Sequence, residues 1–252
     1  MQYVFYICLG LLPSLIWLSF YLRKDKHPEP NSIILRVFIW GMLLAPLAII
    51  LELLLIWLLN PSYDLTSLLS QTNYNSIIKT ILAATLIPAL VEEYLKYSII
   101  RHRFLKKPAF DEPTDVILYC IIAGLGFAAI ENILVVFKSS FPSFGESFGI
   151  IGFRFLGATL LHALASGIIG YWLALGLLNA KKRKRFILIG LTIAIIFHSC
   201  YNYLIITALN RTDNYKMILI FITAVLLFST ALFISLCFKK LKKQKSICKI
   251  SS

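Results

Sequence analysis

Residues 77–100 read IIKTILAATLIPALVEEYLKYSII, a run hydrophobic enough to cross a membrane that nevertheless carries Glu92 and Glu93 side by side. On insertion scales, one charge at the centre of a membrane helix costs about 3 kcal/mol. Two adjacent carboxylates therefore predict compensating partners. Lys96 is one, because residues four apart share a helix face and Lys96 follows Glu92 by four. Glu93 points about 100° away from that face.

The composition around this run is that of a polytopic membrane protein. Of the 252 residues, 59% are hydrophobic and only 15% are charged. Seven apolar runs reach the roughly 20 residues that a helix needs to cross the bilayer. They cover residues 1–22, 33–59, 77–100, 115–137, 150–178, 186–209 and 217–238. The predicted fold is an all-α membrane helix bundle of about seven spans, formed by a single domain over residues 1–238 and followed by a basic tail over 239–252.

The basic residues indicate how the bundle is oriented. They cluster in alternate connections, within residues 23–26, 101–107, 181–185 and 239–249, whereas the other connections hold only Lys138, Arg211 and Lys216. By the positive-inside rule, the N-terminus lies outside and the C-terminus is cytoplasmic. This distribution explains the net charge of +13 as a topology signal. The expected surroundings are therefore the lipid bilayer, and no nucleic-acid partner is expected.

Four other polar groups suited to acid–base chemistry occur inside the apolar runs. Glu131 lies in the fourth run, His162 in the fifth, and His198 and Asn202, four residues apart, in the sixth. With alternating helix directions, all four fall in the middle to outer half of the bilayer, with Glu92 near its middle. Polar groups at one depth on several helices predict a single water-accessible site.

Two further charged residues are predicted to lie outside this site. Glu52 falls near the outer interface, where a carboxylate costs little free energy. Arg154 begins the fifth run, where its side chain can extend to the interface. The five cysteines contain no Cys-x-x-Cys pair, so neither a disulfide nor a cysteine-ligated metal is expected.

The ordered set of motifs resembles the PrsW-type intramembrane proteases, which are related to CAAX prenyl endopeptidases and Abi-type immunity proteins. The matching residues are Asp25 with Pro28, Glu29 and Pro30; Glu92, Glu93 and Lys96; Phe127, Glu131 and Asn132; His162; and His198 with Asn202. Each motif is weak alone, but together they occur in the family's order.

The resemblance implies an intramembrane endopeptidase in a bacterial cytoplasmic membrane, acting on a membrane-protein or peptide substrate. It implies that Glu92 and His162 activate water and that His198 and Asn202 stabilise the oxyanion. Glu93, Lys96 and Glu131 would support them. Signalling proteolysis of an anti-sigma factor is one role that the resemblance suggests.

Two other mechanisms are open at this stage. Ser166 shares a helix face with His162, but an acid at triad geometry is missing, which disfavours a serine nucleophile. Zinc held by Glu92, His162 and His198 is more credible, since two histidines and a carboxylate form a catalytic zinc set. The His-Glu-x-x-His spacing is absent, so we expect a metal-independent, glutamate-type peptidase without a cofactor, with zinc second.

Non-catalytic functions are also compatible with a polar cavity in a membrane. A carrier of protons or small solutes buries Glu, Lys and His at similar depth. An immunity-type protein could keep the fold and bind a peptide without cutting it. The sequence shows no inverted repeat of the kind found in many carriers, which favours the enzyme.

Overall fold

The structure of the chain is a computed structural model that describes residues 2–24, 29–59, 82–105, 112–138 and 143–243. Within these ranges the regular structure is entirely helical. The helices are α1 (Gln2–Leu22), α2 (Asn31–Leu59), α3 (Ile87–Ile99), α4 (Pro113–Lys138), α5 (Phe144–Leu156), α6 (Ala158–Leu178), α7 (Arg183–Leu209) and α8 (Tyr215–Leu241). Single π-helical turns, Leu82–Leu86 and Ile100–Phe104, extend α3 at both ends, and a 3₁₀ turn, Ala180–Lys182, precedes α7.

The predicted all-α membrane bundle is confirmed. Six helical segments in the described ranges are long and apolar enough to cross a membrane. They are Tyr3–Leu22, Asn31–Leu59, Pro113–Lys138, Phe144–Leu178, Ala180–Leu209 and Tyr215–Leu241. The remaining predicted span corresponds to α3 with its π turns, the segment that carries the charged pair. Large apolar side chains on the outside of the bundle, such as Phe221 and Met217 on α8, are more than half exposed, as expected for surfaces that face lipid.

The fifth predicted span, which the sequence places at residues 150–178 as one helix, is divided into α5 and α6. Gly157 separates them with φ and ψ both at −99°. A Cβ at this position would lie 2.6 Å from the Tyr201 hydroxyl and 2.9 Å from the Phe153 carbonyl oxygen. A capping box between Ser143 and Glu146 begins α5 before the predicted boundary. The break lets α5 and α6 present side chains to the same site from different directions.

Helix α4 forms the centre of the bundle, packed against α1, α2 and α6. Its close approach to α2 depends on glycine, because a Cβ on Gly126 would overlap the carbonyl oxygen of Phe38. On another face, a Cβ on Gly170 of α6 would lie 2.6 Å from Ile117 Cα of α4. Small residues at helix contacts are the usual way for membrane helices to pack closely.

We expect Gly126→Ala to destabilise the fold, because the added methyl meets backbone that cannot rotate away. Overpacking of this kind costs about 1–3 kcal/mol. The measurement is the midpoint of thermal unfolding in detergent. Gly152→Ala is the matched control, since a Cβ there meets nothing within 4 Å. A midpoint for Gly126→Ala equal to that of Gly152→Ala would show that α2 and α4 are not in close contact.

The C-terminal ends of α1 and α8 meet on one side of the bundle. The ammonium of Lys242, just after α8, donates to the backbone carbonyl of Lys24, just after α1. This contact places two of the basic connections together, as the alternating charge pattern requires. Which side of the membrane they face stays a prediction. Most of the predicted basic tail lies outside the described residues, which end at residue 243.

Candidate active site

The centre of the site is the ammonium of Lys96, which is 2% exposed. Its Nζ lies 3.3 Å from Glu92 Oε2, 2.9 Å from Glu93 Oε1 and 2.8 Å from His162 Nδ1. An ammonium carries three N–H donors and no acceptor. The three donors therefore have one acceptor each, and α3 and α6 are joined by the same cation.

These contacts fix the tautomer of His162. Because an ammonium can only donate, Nδ1 accepts and the ring proton is on Nε2. Nε2 in turn lies 2.7 Å from Glu131 Oε2 on α4 and donates to it. Both ring nitrogens of His162 are thus engaged with protein groups. His162 links Lys96 to Glu131 and has no nitrogen left for a water molecule.

His198 on α7 is arranged differently. Its Nδ1 lies 2.8 Å from Glu93 Oε1, the oxygen that also accepts from Lys96. A carboxylate oxygen held by an ammonium is an acceptor, so Nδ1 of His198 donates and Nε2 is the nitrogen available to the space in front of it. The second oxygen of Glu93, Oε2, is buried without a donor among the described residues. Glu93 therefore orients His198 and is fully enclosed while doing so.

Glu131 is held by a second network on its other side. Arg154 on α5 donates from Nη2 to Glu131 Oε2 at 3.1 Å and from Nε to Asn132 Oδ1 at 2.6 Å. The Asn132 amide donates to the Thr159 hydroxyl at 3.0 Å. The guanidinium thus contacts two neighbouring side chains through two of its nitrogens, which its planar fork holds in a fixed geometry. This network sets the position of the carboxylate that accepts the hydrogen bond from His162 Nε2.

A cavity of about 650 Å³ lies in front of these groups. Its polar lining consists of Glu52, Glu92, Glu131, Arg154, His162, His198, Tyr201 and Asn202. The apolar lining includes Pro88, Val135, Phe153, Ile205, Ile206 and Leu209. A mainly apolar pocket with a few convergent polar groups is the usual form of a ligand site.

The structure brings all the predicted site residues together. Five of them line the cavity: Glu92, Glu131, His162, His198 and Asn202. Glu93 lies behind this surface, completely buried against His198 and Lys96. The difference between the adjacent glutamates follows from the helix turn of about 100° per residue.

Two expectations from the sequence are wrong. Glu52 and Arg154 were expected to lie outside the site, but both line the cavity. Arg154 instead contacts Glu131 and Asn132, because the break after α5 directs it toward them. The capping box at Ser143 was the available signal that a separate helix begins there.

Other predicted features fall outside the site. The Ser166 hydroxyl is buried without a partner among the described residues and lies against α4, where a Cβ on Gly124 would overlap it. This position gives a serine nucleophile no access to the cavity. In the motif before α2, Asp25 and Pro28 lie outside the described residues, and Glu29 accepts a hydrogen bond from the Tyr119 hydroxyl.

The cluster also contains the donor types of a metal centre. Glu92, Glu93, His162 and His198 each offer a ligand atom, and these atoms lie within 4.8 Å of one another. Two histidines with carboxylates suit zinc chemically. However, Nδ1 of His162 and one oxygen of each glutamate converge on the Lys96 ammonium. With Lys96 in this position, the residues do not fit a metal ion.

Comparison with known proteins agrees with the motifs. A family profile described as "PrsW family intramembrane metalloprotease" matches residues 29–231. Protease PrsW of Oceanobacillus iheyensis is 30% identical over 199 residues, which cover 78% of this chain and 80% of that protein. Protease PrsW of Geobacillus kaustophilus is 30% identical over 203 residues, or 79% of each chain. Protease PrsW of Bacillus subtilis is 27% identical over 213 residues, or 84% of this chain and 87% of the relative. No solved structure matches the chain.

Proposed function

The chain belongs to the PrsW family of membrane proteases, and from this membership we propose that it is an intramembrane endopeptidase in which Glu92 activates the attacking water. One observation carries the proposal. Glu92 and His198, from different helices, line one apolar cavity, and each is held from behind by a buried charged partner. Preorganised polar groups in a water-poor site are the main source of catalysis in hydrolases.

The proposed reaction needs one base and one proton path. The Glu92 carboxylate takes a proton from water, and the hydroxide forms a bond to the carbonyl carbon of the scissile peptide. The resulting tetrahedral oxyanion collapses, the C–N bond breaks, and the protonated Glu92 returns its proton to the leaving amine. Lys96 holds Glu92 in place through Oε2. A carboxylate within reach of both water and leaving group can serve in both steps.

His198 and Asn202 are proposed to bind the reacting peptide. They are one helical turn apart on α7, and both line the cavity. The Asn202 amide can donate to the oxyanion whether His198 is neutral or protonated. The neutral His198 ring carries its one N–H on Nδ1, which donates to Glu93. Nε2 can therefore donate only when the ring takes up a second proton. The Glu93 carboxylate then compensates the charge of the imidazolium, as the acid of a catalytic triad does.

His162 is proposed to act through other residues. The resemblance implies that it positions the water, but both of its nitrogens are bonded, to Lys96 and to Glu131. Its proposed role is to hold Lys96 and, through it, Glu92. Glu131 would serve the same purpose from the other side. We propose no step through a metal, because Lys96 lies where the donors converge.

The cavity favours an apolar peptide segment as the substrate. Its walls beyond the polar groups are formed by Ile205, Ile206 and Leu209 of α7 and by Val135 and Phe153. The proposed substrate class is therefore a membrane protein with a single span, cut in or near that span, in a bacterial cytoplasmic membrane. An anti-sigma factor is one protein of that class.

The experiment combines the purified protein in detergent with a candidate single-span substrate. Wild type is compared with Glu92→Gln, and each is assayed with and without a metal chelator. The proposal predicts cleavage by wild type, no loss with the chelator, and no cleavage by the variant. Cleavage that persists in Glu92→Gln would refute the role of Glu92.

Arg154 offers a separate prediction. Arg154→Lys keeps the charge but lacks the planar fork whose two nitrogens contact Glu131 and Asn132, so we expect cleavage to fall by roughly 10-fold, as for other groups that orient site residues. Arg154→Met should fall at least as far. Lys138→Met, at the exposed end of α4, is the control. Full activity of Arg154→Lys would show that charge alone is required and that the forked contact is not.

A further inference from the structure

We infer that Lys96 is the resident cation of this site and takes the place of a divalent metal, so that removing its charge converts the cluster into a metal-binding centre. The inference rests on the proposed function only in treating the cluster as the catalytic site. It concerns what neutralises the buried carboxylates, whatever the substrate. It also explains why the cluster contains the ligand types of a metal centre although its ligand atoms already accept hydrogen bonds from Lys96.

The first argument is geometric. The atoms that would bind zinc through α3 and α6 are Glu92 Oε2, Glu93 Oε1 and His162 Nδ1, and these are the atoms that accept from Lys96. Zinc binds such atoms at about 2.0–2.2 Å. An ion at that distance from all three would overlap Nζ. The ammonium and a metal ion are therefore mutually exclusive.

The second argument concerns charge. Glu92 and Glu93 are both at least nine-tenths buried, and a buried carboxylate needs a paired cation. Lys96 supplies that cation to both residues from the same helix. A divalent ion entering beside it would add a second cation at close range in a region of low dielectric, where repulsion is strong.

The third argument is that the ammonium is held in position. Its nitrogen lies 4.4 Å from the centroid of the Phe127 ring, on α4, which attracts the cation by its π face. The side chain of Lys96 is 1% exposed, so surrounding protein separates the ammonium from solvent. Phe127 on one side and three acceptors on the other leave Nζ at the centre of the cluster.

Without Lys96 the same donors become free. The methionine side chain is uncharged and one heavy atom shorter than lysine, so Lys96→Met leaves two buried carboxylates and His162 Nδ1 around the position that Nζ vacates. Oxygen and imidazole donors in this number suit zinc or cobalt. The buried oxygen Glu93 Oε2, which has no donor among the described residues, adds further acceptor capacity.

The test measures bound metal directly. Wild type, His162→Ala, Lys96→Met and Lys96→Met/His162→Ala are purified in detergent, exposed to excess Zn²⁺, desalted and assayed for zinc by mass spectrometry. Co²⁺ is then titrated while the visible ligand-field absorption is recorded. The inference predicts no retained zinc in wild type, one equivalent with tight Co²⁺ binding in Lys96→Met, and loss of that binding in the double variant. Lys138→Met should behave as wild type.

The outcomes separate the inference from the proposed function. One equivalent of zinc in wild type, lost in His162→Ala, would overturn the inference even if wild type cleaves its substrate. A folded Lys96→Met that binds no Co²⁺ would also overturn it. If Lys96→Met does not fold, the zinc content of wild type is the deciding measurement, and absence of retained zinc supports the inference. A metal-free wild type that cleaves no membrane segment would instead count against the peptidase proposal alone.

Discussion

Replacing Glu92 by glutamine is expected to lower the rate of peptide cleavage by roughly 10²- to 10⁴-fold, the range that one general base contributes. Glutamine keeps the shape of the side chain but cannot take a proton from water. It can still accept a hydrogen bond from Lys96 through its amide oxygen, so the helix contacts around α3 survive. The measurement is the initial rate of fragment formation from a single-span substrate at saturating concentration.

Glu146→Gln is the matched control for this experiment. Glu146 is exposed at the start of α5 and closes the capping box with Ser143. Its replacement makes the same chemical change at a residue that does not line the cavity, and we expect an unchanged rate. A Glu92→Gln protein with the thermal midpoint of wild type and full activity would remove Glu92 from the mechanism.

The second large effect is expected at the pair of Glu93 and His198, which should behave as one unit. His198→Ala and Glu93→Gln are each expected to lower the rate by roughly 10²-fold or more, because each removes an oriented His198. The double variant should be no slower than the slower single variant. Groups that act through one another show such non-additivity.

His102→Ala serves as the control for this cycle. His102 is exposed beyond α3, where its Nδ1 contacts the backbone carbonyl of Ser98. We expect it to keep the wild-type rate. If the losses of Glu93→Gln and His198→Ala multiply in the double variant, Glu93 does not act through His198, and the hydrogen bond between them has another role.

Much of the bundle could be predicted from the sequence, because the length of an apolar run and the turn of a helix are local properties. The face shared by Glu92 and Lys96, and the different direction of Glu93, follow from helix geometry alone. The family could also be inferred, since its motifs occur in order along the chain. Convergence of polar residues at one depth was enough to expect a single site.

The features of the site that the sequence did not predict depend on contacts between helices far apart in the chain. The contact of Lys96 with His162 joins residues 66 positions apart, and no local pattern encodes it. Arg154 was assigned to the interface because the break at Gly157 could not be seen in an unbroken apolar run. The two partners of His162 could not be predicted for the same reason, since they come from two other helices.

The proposed chemistry is tested most directly by the products formed in a membrane. Purified wild type and Glu92→Gln are placed in separate proteoliposomes with a single-span substrate and a chelator, in water enriched in ¹⁸O, and the products are weighed by mass spectrometry. Our account predicts that wild type gives two fragments whose masses sum to the substrate plus one labelled water, with the label at the new carboxylate, and that the variant gives none. An intact substrate with folded wild type, or fragments that appear only when zinc is restored, would contradict it.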